Sequence, residues 1–211
     1  MGRVTLNDRQ WKTYLAVWLV AVGAVVGVAA GLLLIRFVNQ PPPAVLGGGV
    51  VMDPKAVAAP DFTLRDQSGR SVSMSGLRGR VLALTFLDTQ CTNLCPLQAR
   101  FLGTAQSDLG TSTPLSIVVI SVRPAADTPD TIAKFASANG LGRNYYWLTG
   151  TPAQLSAVWN EYGVAVQVAS GDLEHSSVIY LVDPHGFERV GFLDVPETSA
   201  FENDVRILAK G

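Results

Sequence analysis

Cysteine and histidine are scarce in this 211-residue chain, with two of each and only three methionines. So few thiols exclude a small fold stapled by several disulfides, and they exclude a zinc site built from four cysteines. A basic excess is missing as well: 16 Lys and Arg stand against 17 Asp and Glu, a net charge of −1. Phosphate contacts need a basic surface, so nucleic acid is not an expected partner. Charged residues make up only 16% of the chain, yet hydrophobic residues reach 48%, which excludes a disordered polar chain. Internal repeats are absent too.

The missing charge is concentrated in one place. Thr13–Ile35 is a run of 23 residues without a single charge, against the ~20 that a spanning helix requires. Trp11, Tyr14 and Trp18 cluster toward one end, as interfacial aromatics do. A cleaved signal peptide has a shorter apolar core of ~7–15 residues and a small-x-small cleavage site; here the run is longer and continues into Arg36. The expectation is an uncleaved single-pass anchor over residues 13–37. Arg3, Arg9 and Lys12 precede it, so residues 1–12 are expected in the cytoplasm and the remainder outside the cell membrane. Residues 38–58 hold Pro41–Pro43, which favour an extended backbone, and Gly47–Gly49, read as a flexible tether. That leaves 59–211 as the folded domain, enough for a sizeable core.

Within this domain, the turn-rich stretch Asp66–Gly69 separates two short segments, Asp61–Arg65 and Ser71–Met74, as in a hairpin. Val81–Leu87 and Leu115–Val122 are continuous apolar runs, suited to strands covered on both faces. Cys91–Leu109 has helical spacing, with Leu94, Leu97, Phe101 and Leu102 on one face and Gly110 as the stop. Thr128-Pro129 and Thr151-Pro152 each open a helix with a capping threonine and a proline in the first turn. Tyr145–Leu148 and Ser177–Val182 read as strands, Asp183–Gly186 as a turn, Glu188–Leu193 as the return strand and Glu197–Ala209 as a last helix. Strands alternating with helices imply parallel crossovers. With the closing hairpin and helix, the pattern predicts an α/β sandwich of thioredoxin type with an N-terminal hairpin.

The two cysteines occupy Cys91-Thr92-Asn93-Leu94-Cys95-Pro96, after the first buried strand and at the start of a helix. A helix N-terminus favours thiolates, and a four-residue offset brings side chains to one helical face. The pair is compatible with a disulfide, a redox dithiol or two soft metal ligands. A bridge closing so short a loop constrains the unfolded chain little, so a purely structural disulfide is the weakest of these. Two thiolates suit Cu(I), whereas structural zinc wants four protein ligands. Of the histidines, His185 falls in a turn and reads as a solvated side chain. His175, in Glu174-His175-Ser176-Ser177 before a core strand, falls at the end of the sheet that faces the cysteines. An isolated histidine there is ordinarily a hydrogen-bonded structural residue; the paired thiols favour a third metal ligand.

These residues resemble the SCO/SenC family of copper-binding assembly proteins for cytochrome c oxidase. The resemblance covers about 59–208 and is carried by Ala59–Leu64 with Asp66 and Gly69, Leu77–Arg80, Cys-x-x-x-Cys-Pro at 91–96, Asp127–Pro129, Leu148–Gly150 and His175–Ser177 leading to Tyr180–Pro184. The first of these motifs is shared with peroxiredoxins. The resemblance implies a thioredoxin-like fold, copper held by Cys91, Cys95 and His175, other copper chaperones as partners, and oxidase subunit II or another copper protein as client. Three positions depart from the family pattern: Thr92 replaces a proline, Asp88 a tyrosine, and Arg123 the aspartate of an Asp-Pro pair. Asp88 reads either as a carboxylate near the metal or as a surface residue at a strand end. The competing reading is an extracytoplasmic thiol–disulfide oxidoreductase with Cys91 and Cys95 as its redox pair. Such enzymes usually carry Cys-x-x-Cys and a proline facing it, and neither is present here. A peroxidase is disfavoured because no proline lies between Gly79 and Cys91.

Overall fold

A computed structural model describes residues 8–38, 46–52, 57–142, 144–169 and 172–210. The chain divides into two compact units, Met1–Ala44 and Val45–Gly211. The first holds one helix, α1 (Asp8–Val38). Its described side chains are Trp11 and those of residues 18–32, nearly all exposed. Among the described residues no helix is long and apolar enough to cross a membrane. Pro41–Pro43 lie outside the described residues.

The second unit contains, in chain order, β1 (Val50–Val51), β2 (Thr63–Arg65), β3 (Ser71–Ser73), β4 (Val81–Leu87), α2 (Leu94–Leu109), β5 (Leu115–Ser121), α3 (Pro129–Ala138), β6 (Tyr145–Leu148), α4 (Pro152–Glu161), β7 (Val166–Ala169), β8 (Asp172–His175), β9 (Ile179–Val182), β10 (Glu188–Phe192) and α5 (Thr198–Leu208). The main sheet runs β1-β10-β9-β4-β5-β6. Strands β4, β5 and β6 are parallel; β9 pairs antiparallel with β4, and β10 antiparallel with β9. This is the expected α/β sandwich, with β2–β3 as a separate hairpin.

Alternate residues of β4 and β5 feed opposite faces, as a period of two dictates. Val81, Ala83, Ile117 and Val119 pack with residues of α2, α3 and α5. Leu82, Leu84, Phe86, Val118 and Ile120 pack with α4 and the β2–β3 hairpin. Both expected threonine caps form: Thr128 with Thr131, and Thr151 with Gln154, each closing a reciprocal capping box.

Four expectations are corrected. The helix after the cysteines begins at Leu94, so Cys91 lies outside it. Its buried face is Cys95, Gln98, Ala99, Leu102, Ala105 and Leu109, whereas Leu94 and Leu97 are exposed. Both sets fit a helical period, and the smaller Cys and Ala side chains are the ones set against the sheet. Between α4 and β9 the β7–β8 hairpin appears, with His175 as its last residue; the alternating Val164, Val166 and Val168 and the Ser170-Gly171 turn dipeptide were its signal.

The fourth correction concerns Gly47–Gly49, which is packed rather than free. The Gly47 and Gly48 N–H groups donate to the two carboxylate oxygens of buried Asp204 at 3.1 and 2.9 Å. β1 then pairs with β10, so the ordered domain begins earlier than residue 59. A Cβ on Gly48 would sit 2.8 Å from Asp204 Oδ2 and 3.2 Å from the Ala200 backbone, whereas one on Gly47 would meet nothing within 4 Å. Gly48→Ala is therefore expected to cost about 2 kcal/mol, the usual scale of overpacking, and Gly47→Ala much less. Thermal unfolding of the two variants side by side checks this, and equal midpoints would refute the clasp.

Glu188 on β10 is also buried, and burial pushes its carboxyl up to about 7. The folded state thus keeps a proton that the unfolded chain releases near the ordinary glutamate value. Stability tied to this proton is complete below ~4.5 and is lost as pH rises through about 7. Glu188→Gln, which stays neutral, should match the wild type near pH 4.5 and exceed it at pH 8 by on the order of 2–3 kcal/mol. Denaturant melts at both pH values measure the difference; an unchanged gap would remove Glu188 from the pH dependence.

Candidate metal centre

The centre is assembled at the end of the sheet where β4 finishes. β4 leaves the core at Leu87, and Asp88–Asn93 lead into α2. β9 enters beside the same end, with Ile179 opposite Thr85, and the buried Thr85 hydroxyl donates to the Val178 carbonyl at 2.8 Å. Cys95, in the first turn of α2, is 1% exposed, and Cys91 is half-buried in the preceding loop. Both are free thiols.

The β8 strand delivers His175 to this point. Its Nε2 lies 3.7 Å from Cys95 Sγ, and its Nδ1 lies 3.0 Å from the Ser176 carbonyl oxygen. A carbonyl only accepts, so Nδ1 carries the hydrogen, which leaves Nε2 as the ring nitrogen available to a metal on the side of the sulfur. That tautomer is the one a metal needs at Nε2. For a first-row ion such as zinc, bonds of ~2.3 Å to sulfur and ~2.0 Å to nitrogen at tetrahedral to trigonal angles place the two donors roughly 3.5–3.8 Å apart. The observed separation fits two donors sharing one ion.

Burial pushes the Cys95 thiol well above its ordinary value, and a hydrogen bond to Cys91 acts in the same direction. Cys95 thus neighbours both other expected ligands. Even so, among the described residues no group of three His, Cys, Asp or Glu side chains is gathered closely enough to hold a metal. His185 sits exposed in the β9–β10 turn, beyond the Val182–Glu188 pair at the opposite end of the sheet.

Asp88 takes the first of its two expected roles and not the second: it is buried, and its negative charge helps to raise the Cys95 thiol. It is 2% exposed, its Oδ2 is 2.7 Å from Arg123 Nε, and its Oδ1 accepts the Gln90 N–H at 2.7 Å. Its carbonyl accepts the Cys91 N–H at 3.3 Å. The carboxylate also shapes the cysteine loop. Leu87 and Ser121 are register partners on adjacent parallel strands. Residues just beyond them are neighbours, so the two departures at 88 and 123 form one ion pair. Their opposite charges past the ends of consecutive buried strands were the signal that could have found it.

Asp127 braces the same end. Its Oδ1 accepts the Thr89 N–H at 3.0 Å, and its Oδ2 accepts Ser121 Oγ at 2.6 Å and Trp147 Nε1 at 3.2 Å. Burial raises its carboxyl above the ordinary value despite these donors.

With that geometry established, residues 51–204 match the model of the SCO1/SenC family. The chain belongs to the SCO1/SenC family. The SCO1 protein homolog of Bacillus subtilis is 28% identical over 166 residues, which are 76% of this chain and 83% of that protein. Among solved structures, Bradyrhizobium japonicum ScoI with copper bound is 26% identical, with a TM-score of 0.63 over 72% of this chain and 99% of that one. BsSco, a member of the Sco family of cytochrome c oxidase assembly proteins in which a disulfide switch was identified, is 26% identical, with a TM-score of 0.65 over 76% of this chain and 98% of that one. The SCO1/SenC assignment agrees with the thioredoxin-like fold and with the resemblance carried by the cysteine and histidine motifs.

Proposed function

We propose that this SCO1/SenC protein is a membrane-anchored copper metallochaperone. It binds one copper ion through Cys91, Cys95 and His175, and it assists assembly of the binuclear copper centre in cytochrome c oxidase subunit II. The observation that carries the reading is the 3.7 Å approach of His175 Nε2 to Cys95 Sγ, with Nδ1 committed to Ser176. Copper in the related ScoI supports the choice of ion. Two thiolates hold Cu(I), and the imidazole supplies the nitrogen that Cu(II) favours. Copper binding releases the Cys95 proton that burial otherwise retains. The 23-residue uncharged run supports an anchor over 13–37, with the N-terminus cytoplasmic and the copper domain extracytoplasmic.

A second reading is supported by the contact between the two free thiols and by the disulfide switch of BsSco. In it, the protein reduces the cysteines of the oxidase copper site. Half-buried Cys91 is then the attacking thiol, because burial keeps Cys95 protonated. The full chain in detergent, reduced and given Cu(I), should retain one copper after desalting; the oxidised chain should retain none. Reduced protein that holds no copper yet exchanges disulfides with an oxidised subunit II peptide would select the second reading. Protease added to spheroplasts should remove the domain and leave a small membrane-bound fragment; a protected domain would overturn the orientation.

A further inference from the structure

We infer that Gln98 and Ser177 form a positioning clasp that holds His175 in register with Cys95. The inference rests on the copper reading above. Gln98 is 1% exposed, in the buried face of α2 one turn beyond Cys95. Its Nε2 donates to Ser177 Oγ at 2.8 Å. Cys95 and Gln98 are three apart on the helix, and His175, the last residue of β8, is two before Ser177 in the connection to β9. Two contacts therefore cross the same seam side by side: Cys95 with His175, and Gln98 with Ser177.

The residue between them is held from the other side. Ser176 N–H donates to the Ala165 carbonyl at 3.0 Å, and Ser176 Oγ accepts the Ala165 N–H at 3.1 Å. The Ser176 carbonyl is thus fixed where it receives His175 Nδ1–H. Ser176 sets the tautomer, and the clasp sets the distance.

Burying a glutamine amide is costly unless it is paired, and an apolar residue of the same volume packs at least as well. A Gln98→Met chain should therefore fold with a melting temperature close to that of the wild type. What it should lose is the fixed position of His175. Groups that orient metal-bound histidines typically carry 10–100-fold in metal affinity. Gln98→Met and Ser177→Ala should each weaken Cu(II) by about 10-fold, leave Cu(I) nearly unchanged, and fail to add when combined. In a His175→Ala chain, Gln98→Met should have no further effect on Cu(II). Without any metal, nitrogen-15 NMR of the reduced protein should show one Nδ1–H tautomer in the wild type and tautomer exchange or ring motion in Gln98→Met. An unchanged His175 spectrum, or an equal Cu(II) loss with and without His175, would overturn the clasp. If the wild type binds no copper, the function reading falls, while the NMR comparison still decides whether Gln98 positions the ring.

Discussion

Cys95→Ser should abolish copper binding in both oxidation states, while His175→Ala should keep Cu(I) near one equivalent and strongly weaken Cu(II). Cys95 is the common neighbour of the other two proposed ligands, through contact with Cys91 and the 3.7 Å approach of His175. Its removal leaves one thiolate in a half-exposed loop, too little for a soft ion held at low coordination. His175 is the only imidazole at this end of the sheet, because His185 occupies the far turn. Its loss should weaken Cu(II) by at least about 100-fold and shift or remove the thiolate-to-Cu(II) absorption, while His185→Ala changes neither. Competition titrations against chelators of known affinity read both ions. Loss of Cu(II) in His185→Ala together with its retention in His175→Ala would place the site elsewhere.

The largest effect on stability is expected at Asp127. Its carboxylate accepts from Thr89, Ser121 and Trp147, and the last two side chains are fully buried. Truncation to alanine strands the indole N–H and the serine hydroxyl, each costing ~1–3 kcal/mol when left unpaired. Asp127→Ala should therefore lose about 4 kcal/mol, or roughly 10 °C in melting temperature for a domain of this size. Asp127→Asn keeps one accepting oxygen and should lose less. The alanine variant should also loosen the cysteine loop, because the Thr89 amide loses its acceptor two residues before Cys91. A loss below about 1 kcal/mol would mean that the three donors find other partners.

Much of this architecture was legible because it obeys simple periods. Val81–Leu87 is apolar at every position and became the central strand with every residue buried. Thr128-Pro129 and Thr151-Pro152 carried their helix starts explicitly. The β7–β8 hairpin was overlooked although Val164, Val166 and Val168 alternate and Ser170-Gly171 signals a turn; its second strand is mostly polar, and the hairpin forms a two-stranded sheet of its own. Gly47–Gly49 read as flexible because local composition says nothing of Asp204, which meets it from 156 residues away. In the site, residue type and order pointed to Cys91, Cys95 and His175. Gln98 with Ser177 depends on tertiary pairing that spacing does not encode, whereas Asp88 with Arg123 was signalled by opposite charges just past consecutive buried strands.

The central claim is a copper ion shared by two sulfurs and one imidazole. X-ray absorption on the copper-loaded full chain tests it most directly, because the scattering shells count sulfur and nitrogen neighbours separately. The Cu(II) form should show two sulfur neighbours and one histidine nitrogen, with the imidazole's outer-shell scattering absent in His175→Ala. A shell of nitrogen and oxygen alone, or an unchanged imidazole signal in His175→Ala, would contradict it.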